Sequence, residues 1–118
     1  MMSISAITNK RLKEILKEIE NNMVSLFNNK LENIILYGSY ARGDYSCDSD
    51  VDIMVLVNEG EEDLKKYDDK ITDIMVDLSL KHGILVSLYV QSVQSYKKYI
   101  EILPLFRNIE KECIRIYG

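Results

Sequence analysis

Apolar residues recur at helical intervals in two parts of the chain and alternate with polar ones elsewhere. From Thr8 onward, leucine, isoleucine and methionine follow steps of three and four residues, which predicts an amphipathic helix. A second helical stripe covers 64–78 and ends near Gly83, a residue typical of helix ends. Short apolar runs predict three strands, at 34–37, 50–57 and 84–90.

The last third of the chain predicts smaller elements. Ser92 is a candidate cap of one helix, and Pro104 is a candidate first residue of another. The segment 113–117 predicts a final strand at an edge of the sheet. This order of elements predicts an α/β or α+β fold, with a small mixed sheet packed by helices, in a single domain over 1–118.

Composition and charge exclude several classes of protein. The 118 residues carry a net charge of −4, so no broad basic surface is available for extensive nucleic-acid binding. No apolar run is long enough for a membrane span or a signal peptide, which predicts a cytoplasmic protein. Cys47 and Cys113 are too few and too far apart for a disulfide framework or a zinc site, so we expect free thiols.

The segment after the first predicted strand is rich in glycine and aspartate. Gly38 and Gly43 have the spacing of a Walker A loop, but Asp44 stands where that loop requires lysine. The later aspartates match part of a calcium-binding EF-hand loop, but Ile53 stands where the loop requires glycine, within an apolar strand. Both motifs are therefore excluded.

Two of the aspartates form a pattern with chemical meaning. Asp50 and Asp52 lie two apart on a predicted strand, so their side chains share one face, with the backbone positions roughly 6.5–7 Å apart. A divalent cation relieves the repulsion between two such carboxylates. Upstream, Gly38 and Ser39 leave a buried strand, and glycine allows an anionic ligand to approach the backbone closely. Together these features predict a site for a nucleoside triphosphate with Mg²⁺.

The string GSYARGDYSCDSDVDIMV resembles the signature of the DNA polymerase β nucleotidyltransferase superfamily. The short chain is similar to its minimal nucleotidyltransferase (MNT) group, many members of which are antitoxins encoded beside a HEPN-type toxin. The resemblance implies a polymerase β palm-like nucleotidyltransferase fold. It also implies Mg²⁺-dependent transfer of AMP from ATP to a tyrosine of the cognate HEPN toxin.

The resemblance also implies a role for each matching residue. Asp50 and Asp52 are the expected catalytic residues and the ligands of two magnesium ions. Gly38 and Ser39 are expected to bind the triphosphate of the nucleotide. These four residues are the centre of the predicted site.

Two further residues of the same loop are assigned to the nucleotide site. Arg42 either contacts a phosphate or braces the loop against Asp44 or Asp48, and the sequence leaves both roles open. Ser49 is counted with the nucleotide-binding residues, and its hydroxyl is suited to fix the loop by bonding to backbone. Tyr40 and Tyr45 either stack on a nucleobase or pack within the protein.

One departure from the superfamily pattern leaves two functions open. The superfamily supplies a third carboxylate from a neighbouring strand, but 84–90 contains none, and Ser87 takes the corresponding place. One magnesium ion is then weakly held. The chain is therefore either an active transferase or an antitoxin of the same fold that neutralises its partner by binding alone. Nucleotide preference, acceptor identity and oligomeric state, including a homo-oligomer, are not fixed by the sequence.

Overall fold

The computed structural model describes residues 2–3, 9–46 and 48–118, and within them the chain forms one mixed sheet flanked by helices. The strands are β1 (Met2–Ser3), β2 (Leu31–Tyr37), β3 (Val51–Val57), β4 (Val86–Ser92) and β5 (Ile114–Tyr117). The helices are α1 (Lys10–Phe27), α2 (Ser39–Arg42), α3 (Glu61–Leu64), α4 (Asp68–His82), α5 (Val93–Ile102) and α6 (Pro104–Glu112). Among these residues, no helix is both long and apolar enough to cross a bilayer.

The sheet has the strand order β1-β5-β2-β3-β4. Strand β2 runs antiparallel to both of its neighbours, β3 and β5, whereas β3 and β4 are parallel. This arrangement confirms the predicted small mixed sheet packed by helices. It also places the end of β2 next to the beginning of β3, where the predicted site residues lie.

The first helix forms as its apolar pattern predicts. The Asn9 side chain caps α1 by accepting a hydrogen bond of 3.1 Å from the backbone N–H of Leu12. One face of α1 is buried against the sheet, and its buried residues are Leu12, Ile15, Leu16, Ile19, Met23 and Phe27. This face belongs to the larger of two apolar clusters, which also includes side chains from α4.

Strand β3 separates the two apolar clusters because its residues alternate between the faces of the sheet. The residues that pack into the larger cluster are Val51, Ile53, Val55 and Val57. Met54 and Leu56 pack on the opposite face, in a second cluster with side chains of α5 and α6. Asp52 shares this second face, two residues before the cluster begins at Met54. The predicted alternation is confirmed.

Several features differ from the sequence prediction, and the first predicted strand begins three residues earlier, at Leu31. The second helical segment is divided into α3, a 3₁₀ turn at Lys65–Tyr67 and α4, which ends at Gly83 in the left-handed conformation. The third predicted strand begins two residues later, at Val86, because 83–85 form the turn out of α4. The prediction of a final edge strand was wrong, since β5 lies between β2 and the two-residue strand β1.

A small charged cluster joins α1 to the end of α4. The Lys81 ammonium and the His82 ring, in the last turn of α4, both pair with the Glu18 carboxylate. The hydrogen bonds from Lys81 and His82 lower the pKa of Glu18. The last turn of α4 therefore has a specific partner on α1.

Glu18→Gln is expected to lower the free energy of unfolding by about 0.5–1 kcal/mol at neutral pH. Because the pKa of Glu18 is lower in the folded than in the unfolded protein, its contribution is present above the unfolded value near 4.5 and is lost as the pH falls through the folded value. Urea unfolding at a series of pH values measures this. The exposed Glu14 of the same helix offers the control Glu14→Gln. A Glu18 difference that stays constant at acid pH would contradict the assignment.

Candidate active site

The end of β2 and the start of β3 meet at Gly38 and Asp52. Gly38 has φ 77° and ψ −157°, a conformation that residues with a Cβ rarely adopt. A Cβ atom at Gly38 would lie 2.5 Å from Oδ2 of Asp52 and 3.4 Å from its Cγ. The Asp52 carboxylate therefore lies directly against the Gly38 backbone. The turn predicted to bind phosphate and a carboxylate predicted to bind metal are in contact.

The Asp52 carboxylate is partly buried, and its surroundings disfavour its negative charge. Burial raises its pKa most, the negative charge of Asp50 raises it further, and the positive charge of Arg42 acts in the opposite direction. Asp50 is exposed and precedes β3, whose first residue is Val51. The two carboxylates are near enough to repel each other, which is the electrostatic condition that a cation would relieve.

Neighbouring strands place one side chain on each side of Asp52. In the sheet register, Tyr37 of β2 and Ser87 of β4 are both paired with Asp52. Burial raises the pKa of the Tyr37 hydroxyl, and the charges of Asp52 and Tyr89 raise it further. Ser87 lies beside Asp52 on the neighbouring strand. Its correspondence to the superfamily's third carboxylate stays a prediction.

The loop between α2 and β3 is held by its own polar residues. Arg42 Nε donates a hydrogen bond of 3.2 Å to Asp44, and its Nη1 lies 3.7 Å from a Glu112 carboxylate oxygen on α6. The bracing role of Arg42 is therefore observed, whereas its contact with phosphate stays a prediction. The sequence left open whether Asp44 or Asp48 would brace Arg42, and the structure shows that Asp44 accepts the hydrogen bond.

Ser49 fixes the same loop to its backbone. The Ser49 hydroxyl oxygen accepts a hydrogen bond of 2.9 Å from the Ser46 N–H, and the Ser49 N–H donates one of 3.1 Å to the Ser46 carbonyl. The predicted backbone tie is confirmed, and nucleotide binding by Ser49 stays a prediction. Cys47 lies outside the described residues. Cys113 is a buried free thiol, and burial is the main factor that raises its pKa.

The two tyrosines of this region pack on each other. The rings of Tyr40 and Tyr45 are stacked with centroids 4.3 Å apart and an angle of 12° between their planes. Tyr40 is buried in the larger apolar cluster, while Tyr45 is partly exposed above it. Tyr40 therefore serves the core, which was one of the two predicted uses.

The donor chemistry of the site suits magnesium. Asp50 and Asp52 offer hard carboxylate oxygens, and Mg²⁺ is commonly held by one or two carboxylates together with substrate phosphates. In the part of the chain that the structure describes, no group of three or more His, Cys, Asp or Glu side chains could hold a metal ion. Further ligands would then come from phosphate oxygens and water.

Sequence reasoning missed two contacts of the site. Tyr37 ends a predicted strand, but its place opposite Asp52 depends on the register between β2 and β3. Glu112 approaches Arg42 from α6, and no local pattern in the sequence links these two residues. Neither contact follows from a local pattern, because β2 and β3 are joined by α2 and the loop after it, whose path sets the register.

Comparison with known proteins decides the family. The sequence profile described as "Nucleotidyltransferase domain" matches residues 10–117. This chain belongs to the nucleotidyltransferase domain family. The predicted membership is confirmed, and the Gly38–Asp52 contact lies within the matched region.

Two proteins of Methanocaldococcus jannaschii, each named as a candidate protein adenylyltransferase, resemble this nucleotidyltransferase in sequence. One is 42% identical over 88 residues, which cover 75% of this chain and 82% of the relative. The other is 34% identical over 102 residues, which cover 86% of this chain and 94% of the relative. The alignments span most of both proteins.

Solved structures share the fold of this nucleotidyltransferase. A chain of a toxin–antitoxin crystal structure with AMP-PNP matches with a TM-score of 0.60 and 19% identity, covering 87% of this chain and 73% of that chain. A structure of a tri-AMPylated Shewanella oneidensis HEPN toxin in complex with an MNT antitoxin matches with a TM-score of 0.52 and 19% identity, covering 92% and 70%. The likeness confirms the predicted nucleotidyltransferase fold.

Proposed function

We propose that this nucleotidyltransferase is an antitoxin that transfers AMP from ATP to a tyrosine hydroxyl of a HEPN-type toxin, in a reaction that requires Mg²⁺. The observation that carries the proposal is the contact of the Asp52 carboxylate with the Gly38 backbone, with the charge of Asp50 nearby. Relatives named as candidate protein adenylyltransferases support the reaction class. Structural neighbours from toxin–antitoxin complexes, one with an AMPylated toxin, support the partner class.

Each residue of the site has a role in this proposal. Asp50 and Asp52 hold Mg²⁺, which when bound activates the acceptor hydroxyl and stabilises the departing pyrophosphate. Because Gly38 lacks a Cβ, the Asp52 carboxylate can lie against its backbone, so a phosphate bound at this turn would also be close to the carboxylate. Ser39 offers a hydroxyl to the triphosphate. Arg42 orders the loop through Asp44 and adds positive charge near the phosphates.

The net reaction conserves atoms and charge. The tyrosine oxygen bonds to the α-phosphorus of ATP, the bond from that phosphorus to pyrophosphate breaks, and the hydroxyl proton passes to solvent. Orientation of the acceptor against the α-phosphorus is the main contribution that a protein makes to such a step. The described chain offers the nucleotide side of this site, and the acceptor comes from a partner.

Incubation with radiolabelled ATP, Mg²⁺ and the product of the neighbouring gene tests the proposal. We expect label on that product, and we expect the label to disappear with Asp50→Ala or Asp52→Ala. Omission of Mg²⁺ should have the same effect. Absence of label with the wild-type protein, under conditions where the nucleotide binds, would overturn the proposed transfer.

A second function is favoured by one observation, the position of Ser87 beside Asp52 where a further carboxylate would serve metal binding. In this alternative, the protein neutralises its toxin by binding alone, with a weak or inactive site. The same labelling experiment separates the two functions. Neutralisation that survives Asp50→Ala and Asp52→Ala without label on the toxin would support the binding function.

Ser87→Asp tests the metal side of this question. We expect the Mg²⁺ concentration for half-maximal transfer to fall about tenfold, because the variant adds a charged ligand beside Asp52. Ser87→Asn has a similar size without the charge and is the matched control, with little expected change. A magnesium titration of the transfer rate measures both variants. An equal response of both would show that position 87 does not reach the metal.

A further inference from the structure

An apolar groove lies between α4 and the beginning of β4. Its volume is about 360 Å³, and its lining includes Val76, Leu80 and Leu85. These three side chains are 50%, 78% and 59% exposed, respectively, although each is apolar. Adjacent exposed apolar side chains that line a groove mark an interaction surface more often than isolated ones do. We call this surface the α4–β4 groove.

The α4–β4 groove adjoins the candidate active site. Ser87 lines the groove and is paired with Asp52 in the sheet register. The Leu85 carbonyl accepts a hydrogen bond of 2.9 Å from the N–H of Val51, which lies between the two site aspartates. Asp52 itself faces the other side of the sheet, with the second apolar cluster, so a protein bound in the groove would reach the carboxylates around the edge of β4.

Side chains of α4 accept hydrogen bonds from two backbone N–H groups on the outer edge of β4. The Val86 N–H donates a hydrogen bond of 2.9 Å to the Ser79 hydroxyl, and the Leu88 N–H donates one of 3.1 Å to the Met75 sulfur. Addition of a further strand would have to replace these bonds. A partner is therefore expected to bind through side chains inserted into the groove.

None of the described residues that line the α4–β4 groove is charged, but the exposed surface of the neighbouring helix α4 carries more aspartates than lysines. Helix α4 carries exposed aspartates at Asp69, Asp73 and Asp77, and the exposed Asp50 lies on the site side. Lys81, near the end of α4, is already paired with Glu18. A partner surface with lysine or arginine around an apolar side chain complements this charge. A second copy of this acidic chain would bring like charges together.

We propose that the α4–β4 groove docks the acceptor protein through an apolar side chain flanked by basic residues, next to the tyrosine that receives AMP. The identity of the docked protein as the acceptor rests on the proposed function, whereas the docking itself does not depend on catalysis. Docking in the groove lets the proposed transferase select its substrate through contacts that lie away from the reacting atoms. Selectivity then comes from an apolar contact and its surrounding charge.

Binding of a synthetic peptide with one tyrosine and flanking leucines and lysines tests the proposal. Titration without ATP, followed by amide chemical shifts, should perturb residues of the α4–β4 groove. The peptide with glutamate in place of lysine should bind about tenfold more weakly. Leu80→Ser and Leu85→Ser should each weaken binding about tenfold, as expected when one buried leucine contact is lost.

A matched control is available on the opposite part of the molecule. Leu105 in α6 is 63% exposed, close to the 59% of Leu85, so Leu105→Ser makes the same chemical change on a different surface. Equal weakening by both variants, or preference for the glutamate peptide, would overturn the proposal. If sedimentation shows that the wild-type protein is a dimer and that Leu80→Ser is a monomer, the groove binds a second copy instead.

The outcome is separable from that of the proposed function. Addition of labelled ATP and Mg²⁺ to the bound peptide reports transfer, while the titration reports docking. Groove-specific binding without label on any acceptor would reject the transfer and retain the docking surface. If the neighbouring gene's product is labelled equally by the wild type, Leu80→Ser and Leu85→Ser, the transfer is supported and the groove is rejected as its docking surface.

Discussion

Replacement of Asp52 by asparagine is expected to reduce the proposed AMP transfer about 1000-fold or more, which corresponds to about 4 kcal/mol of lost transition-state stabilisation. The substitution keeps the shape of the side chain that lies against Gly38 and removes its negative charge. Without that charge the proposed magnesium site has Asp50 as its remaining carboxylate. Single-turnover transfer of labelled AMP measures the rate.

The same variant is expected to be at least as stable as the wild type at neutral pH. Burial and the charge of Asp50 raise the pKa of Asp52 in the folded protein above its ordinary value of about 3.8. The stabilisation due to this group is therefore complete below the unfolded pKa and is lost as the pH rises through the folded value. Asparagine avoids this loss. Urea unfolding should show the difference at pH 7 and little difference below about pH 3.8.

Asp48→Asn provides a control for the Asp52 variant. Asp48 is an exposed acid of the same loop, and its substitution removes an equal charge from the region. We expect nearly unchanged transfer and stability. If Asp48→Asn and Asp52→Asn reduced the rate to a similar extent, the effect would reflect the general negative potential of the loop, and the specific role of Asp52 would be lost.

Replacement of Gly38 by alanine is expected to reduce transfer about 100-fold and to lower the free energy of unfolding by about 1–3 kcal/mol. The added methyl carbon would lie 2.5 Å from the Asp52 carboxylate, so the carboxylate or the turn must move. Alanine is also strained at φ 77°. Transfer assays and urea unfolding of one preparation give both quantities.

Gly43→Ala separates backbone strain from the collision with Asp52. Gly43 also has a positive φ, of 83°, but a Cβ there would meet no atom within 4 Å. We expect a comparable or smaller loss of stability, about 1 kcal/mol, with transfer reduced far less than in Gly38→Ala. Equal losses of transfer in both variants would mean that the turn conformation, and not the space beside Asp52, is what the site requires.

The sequence was sufficient for features that depend on local pattern. The alternation of β3 predicted which side chains enter the core and left Asp52 on the other face. The residue type alone suggests a strained turn at Gly38 and a side-chain hydrogen bond to backbone at Ser49, and both are present. These local rules located the segment that carries the site.

Features that depend on distant pairing were beyond the sequence. The position of β5 inside the sheet depends on a two-residue strand that has no periodic signal. The hydrogen bonds of Ser79 and Met75 to β4 depend on how α4 lies along that strand, and they accompany its later start. Contacts across the sheet are selected by the total packing of many side chains, which no single stretch of residues reveals.

The two neighbours of β2 differ greatly in their distance along the chain, and this difference bears on the order of folding. Leu36 pairs with Ile53 on one side and with Ile114 on the other. The nearer pairing closes a short loop and costs less chain entropy, so the half of the sheet that contains Asp52 can assemble during synthesis before β5 exists. A nascent chain at that stage exposes β2 as an unprotected edge, which makes aggregation on the ribosome a hazard until Ile114 emerges.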